Sequence, residues 1–76
     1  SVSPLHAVKK VHVPIFIIHG TADDRIKSSY SEMVYKNANE PKELLFLPGA
    51  KHNDMAQIGG EGYAERILDF FEKHLQ

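Results

Sequence analysis

Two short segments hold side chains able to steer a proton. His19-Gly20-Thr21-Ala22-Asp23-Asp24-Arg25 follows one apolar run, and Lys51-His52-Asn53-Asp54 follows another. A carboxylate beside an imidazole fixes the ring's tautomer and stabilises its charged form, which turns the histidine into a base for a hydroxyl and then an acid for a leaving group. Asp23 and His52 are the candidate catalytic residues. Taken alone, Asp23 reads as a turn former and His52 as a solvated loop histidine. Their placement after successive strands is what raises both above those readings, because ligands and catalytic groups collect at the carboxyl ends of strands in open α/β sheets.

The neighbouring polar residues carry less. Asp24 reads as a solvated neighbour and Arg25 as a surface ion-pair member. His19, at a strand end, reads as a structural hydrogen-bonding group. His6, His12 and His74 lack metal-ligand spacing, and a metal held by His19, Asp23, His52 and Asp54 is a minor alternative. No cofactor is implied. Gly59-Gly60-Glu61-Gly62 lacks the Lys-Ser/Thr of a phosphate loop and reads as a flexible entry to a helix. Ser28, Ser29 and Ser31 read as capping or surface residues.

The elements that must position Asp23 and His52 follow from the apolar pattern. Ser3 to Lys10 reads as a short helical lead-in with Pro4 in its first turn. Val13-Pro14-Ile15-Phe16-Ile17-Ile18, ended by Gly20, is an unbroken β-branched and aromatic run of the kind that forms a strand covered on both faces. Ser29 and Glu32 have the spacing of a capping box, which predicts a helix from about Tyr30 to Ala38 with Tyr30, Met33, Val34 and Ala38 on one face. Glu43-Leu44-Leu45-Phe46-Leu47 predicts a second strand, stopped by Pro48-Gly49. A loop of roughly a dozen residues containing His52 should follow. Ala64, Ile67, Leu68, Phe71 and Leu75 then mark the inner face of a C-terminal amphipathic helix. Strand, helix, strand, helix with continuous apolar strands predicts an α/β unit with parallel pairing, a right-handed crossover and flanking helices.

Composition bounds the rest. The 76 residues are 42% hydrophobic and 25% charged, with a formal net charge of -1. That is the balance of a globular protein with no field to attract nucleic acid. No apolar run approaches the ~20 residues that span a bilayer. The absence of cysteine excludes disulfides and thiolate metal sites and fits a reducing compartment such as the cytoplasm. Two buried strands make a poor independent unit. Residues 1–76 are therefore expected to be one partial domain, with further strands supplied by the same gene product or by self-association through uncovered sheet or helix surface.

Val13 to Arg25 resembles the strand and turn that carry the acid in α/β-hydrolases, and Leu45 to Asp54 resembles the last strand and histidine loop of that fold. The closing helix with Phe70-Phe71 resembles its C-terminal helix. His52-Asn53-Asp54 is similar to depalmitoylase-like branches, whereas Asp23-Asp24-Arg25 is also similar to prolyl-oligopeptidase-type peptidases; Lys27 stands where related turns often have proline. The resemblance implies the C-terminal βαβα portion of a serine hydrolase acting on an ester, thioester or peptide substrate, with Asp23 as the acid and His52 as the base of a Ser-His-Asp triad. No Gly-x-Ser-x-Gly elbow occurs in the chain, so the nucleophile is expected upstream and this chain alone is expected to be inactive. A non-catalytic α/β module for partner binding is the alternative.

Overall fold

The strands begin where the backbone can first donate to a ladder. In the computed structural model, which describes residues 3–75, Pro14 precedes β1 (Ile15–Gly20) and the N–H of Ile15 donates to Pro41 O at 3.1 Å. Proline has no N–H to donate, so β1 starts two residues later than the apolar run predicts, and Val13 is left 62% exposed. His19 and Gly20 join the strand instead. β2 (Lys42–Leu47) pairs with it in parallel, from Ile15 opposite Lys42 to Gly20 opposite Leu47.

Before β1, α1 (Pro4–Ala7) runs into a 3-10 turn at Val8–Lys10, with Pro4 in the first helical turn and Ser3 as its cap. Asn39 fastens this lead-in to the rest of the chain: its Nδ2 donates to Lys9 O at 2.8 Å and to Val11 O at 2.9 Å.

Side chains alternate across a strand, so Ile15, Ile17 and His19 share a face with Lys42, Leu44 and Phe46. That face meets α2 (Ser28–Asn37), where Lys42 Nζ donates to Tyr35 O at 2.7 Å and lies 4.5 Å from the Tyr35 ring centroid. The other face meets α3 (Met55–His74). There Phe16 packs edge-on against Phe70 with centroids 5.2 Å apart, and Glu43 pairs with Arg66 at 3.5 Å. The two helices thus cover opposite faces of a two-stranded parallel sheet. Cover is incomplete: among the described residues the buried apolar ones are Ala38, Leu47, Ala50 and Phe70, while most strand positions are only half-buried.

Both major helices depart from the sequence expectation. α2 begins at Ser28, with Lys27 as an N-cap that makes no side-chain bond. Ser29 and Glu32 fall inside the helix, so the capping box is not formed, and Ser31 is buried rather than capping or on the surface. α3 starts at Met55, which shortens the preceding loop to residues 48–54, and is broken at Gly60 (φ 61°, ψ −149°). Gly60 adopts a positive φ that disfavours other residues. The expected inner face of α3 is also rotated. Leu68 and Leu75 are 60% and 63% exposed, while Phe70 is 5% exposed. Tyr63, Ile67, Phe70, Phe71 and His74 line the inner side instead. Phe70 wins because a planar ring fits edge-on against Phe16, with Phe71 and His74 at centroid distances of 5.1 and 4.7 Å. Among the described residues no helix is long and apolar enough to cross a membrane.

Phe70→Ala should therefore lower the unfolding free energy by about 3 kcal/mol, against no more than about 0.5 kcal/mol for Leu68→Ala. Urea unfolding followed by circular dichroism measures both, and equal losses would contradict the observed helix phase.

Candidate functional site

The loops after β1 and β2 are joined by their backbones. Thr21 N–H donates to Leu47 O at 3.0 Å, Ala22 N–H to Ala50 O at 2.9 Å, and Gly49 N–H to Thr21 Oγ1 at 2.9 Å. Ala50 is completely buried. Gly20 makes this approach possible, since a Cβ there would lie 2.1 Å from Ala50 O. Beyond the seam the loops carry Asp23 and His52, which therefore leave the same edge of the sheet side by side.

Asp23 Oδ1 accepts from the N–H of Arg25 at 2.8 Å and of Ile26 at 3.1 Å, a local turn that aims the carboxylate. Its Oδ2 lies 3.5 Å from His52 Nδ1. The Asp23 side chain is 5% exposed and that of His52 is 57% exposed, so the acid is enclosed and the imidazole open to an incoming group. The Arg25 N–H does most to hold the Asp23 carboxyl below its usual range; enclosure opposes it, and the Ile26 N–H, His52 and His19 add to the lowering. On the histidine side, Lys51 N–H donates to Asp54 Oδ1 at 2.5 Å, and Asp54 O accepts from Ile58 N–H at 3.0 Å. Asp54 thereby links the His52 loop to the first turn of α3.

His19 is 5% exposed. Its Nδ1 is hydrogen-bonded to Ser31 Oγ, and its Nε2 to Ile26 O at 2.8 Å. With both ring nitrogens engaged, it is not free to join Asp23, His52 and Asp54 around an ion; among the described residues no group of three His, Cys, Asp or Glu side chains could hold a metal. A cavity of about 210 Å³ includes His19, Gly20, Asp23, Ile26, His52 and Met55 in its lining. Asp24, Arg25, Lys51 and Asn53 surround His52 in a second hollow of about 190 Å³. Gly59 and Gly60 lie within α3, at its break.

Two contributors were hidden in the sequence. Ser31 had no signal, since its burial depends on the phase of α2 against β1. Asp54 fell inside the expected loop, and its place before the first turn of α3 emerges only with the helix start at Met55.

Because the folded pKa of Asp23 lies below its unfolded value of about 3.9, its contribution to stability is complete above that value and is lost as pH falls through the folded pKa. Asp23→Asn should shrink the difference in urea midpoint between pH 5 and pH 3; an unchanged difference would remove this carboxylate as its source. Gly20→Ala should cost about 1–3 kcal/mol through the clash with Ala50 O, and a neutral result in the same unfolding assay would mean that the loops tolerate separation.

Comparison with known proteins agrees with this architecture. The prolyl oligopeptidase family matches residues 1–76. Human alpha/beta hydrolase domain-containing protein 17B is 35% identical over 68 residues, covering 90% of this chain and 23% of its own length. Uncharacterised Pseudomonas aeruginosa protein PA2218 is 46% identical over 63 residues, 82% of this chain and 16% of its own. Uncharacterised Escherichia coli K12 protein YfhR is 39% identical over 59 residues, 76% of this chain and 21% of its own. The chain spans about a fifth of the length of these curated relatives. No solved structure is a significant match. With a family match along its whole length and parallel strands flanked by helices, the chain belongs to the prolyl oligopeptidase family and forms a portion of an α/β-hydrolase fold.

Proposed function

We propose that this segment supplies the acid, Asp23, and the base, His52, of a serine hydrolase triad whose nucleophile lies outside these residues. The observation that carries the proposal is Asp23 Oδ2 facing His52 Nδ1 at 3.5 Å from loops of adjacent parallel strands. That separation is longer than a formed hydrogen bond, and catalytic contacts of this kind often tighten only when substrate is bound. Asp23 would hold the proton on Nδ1, leaving Nε2 to take the serine proton as the hydroxyl attacks the substrate carbonyl. The resulting imidazolium, stabilised by Asp23, would return that proton to the leaving group. Water would repeat the sequence on the acyl-enzyme. The substrate class is an ester, thioester or peptide, and no cofactor enters these steps. The oxyanion hole would also lie outside the segment, so the 76 residues alone are expected to be inactive.

In the full-length protein, His52→Ala and Asp23→Asn should each lower kcat/KM for a p-nitrophenyl ester by about a thousandfold or more. Rates equal to wild type in both variants would discard the triad and favour a non-catalytic binding module.

A further inference from the structure

Residue 26 is held without burial of its own side chain. Ile26 is 40% exposed, yet its N–H donates to Asp23 Oδ1 at 3.1 Å and its carbonyl lies 2.8 Å from His19 Nε2. A carbonyl can only accept, so Nε2 carries a proton; in the neutral ring Nδ1 then accepts from the Ser31 hydroxyl. Both nitrogens of the buried imidazole are satisfied, one by α2 and one by the acid's loop. Contact with Phe46, at a centroid distance of 6.2 Å, would require only an aromatic or aliphatic side chain and does not account for the two polar partners.

We propose that His19 is a positioning residue, transmitting the placement of α2 to the catalytic acid through the chain Ser31, His19, Ile26, Asp23, His52. By holding the Ile26 carbonyl, it anchors the end of the turn whose N–H groups hold Asp23 Oδ1 and so sets the angle at which Oδ2 meets His52. Arg25 N–H, at 2.8 Å, also holds Oδ1, so loss of His19 misaims the acid without freeing it. The effect belongs on turnover rather than substrate binding. This inference rests on the catalytic reading of Asp23 and His52.

His19→Asn and His19→Gln in the full-length protein separate the two bonds, because an asparagine amide reaches the place of Nδ1 and a glutamine amide that of Nε2. His19→Asn should lower kcat about tenfold with KM unchanged within about twofold and the unfolding midpoint retained, while His19→Gln should recover to within about threefold of wild type. Ser31→Ala, a smaller change, should lower kcat by about threefold at unchanged KM. It decides the matter if His19→Asn fails to fold. Wild-type kcat in His19→Asn and Ser31→Ala, or equal impairment of the Asn and Gln variants, would overturn the role of His19. If Asp23→Asn and His52→Ala abolish turnover in the same assay, that failure is confined to His19; if those two variants remain active, the triad itself has failed.

Discussion

The close approach of Gly20 to the Ala50 carbonyl is the constraint on which the site depends. A Cβ at residue 20 would lie 2.1 Å from that oxygen, so the hydrogen bonds from Thr21 to Leu47 and from Ala22 to Ala50 form only because residue 20 has no side chain. The first continues the parallel register past the strand ends, and the second joins the two loops beyond it. Asp23 and His52 are neighbours because two backbones touch behind them. The attraction between their side chains is a consequence of that seam.

Beyond the seam, the acid is ordered mostly by main-chain donors. Backbone amides cost little additional entropy to align once the turn has formed, and they favour the ionised carboxylate without competing for the oxygen that faces His52. His52 itself is exposed, and what restrains it is its loop, tied through Lys51 and Asp54 to the start of α3. One partner is enclosed and rigidly aimed while the other is accessible. That asymmetry suits a pair in which one member orients and the other exchanges a proton with an incoming group.

The scaffold around the pair is economical. Helices lie on both faces of the sheet, yet its two strands leave two open edges and most of their side chains are half-buried. Phe70 supplies the main aromatic anchor between α3 and β1. The chain spans only about a fifth of the length of its curated relatives, and incomplete burial is the physical counterpart of so small a sheet.

The sequence by itself determined the two apolar strands, their parallel pairing through a helix, and the placement of Asp23 and His52 after their carboxyl ends. Those features follow from residue type and local periodicity, which act over a few neighbouring positions. Only the tertiary structure decided that Phe70 rather than Leu68 faces the sheet, that Ser29 and Glu32 form no capping box, and that Ser31 turns inward to His19. Each depends on the shape and hydrogen-bonding groups of a partner distant in sequence. An apolar stripe does not specify which of two large side chains fits an aromatic edge, and a serine near a helix start does not reveal whether a buried imidazole waits above it.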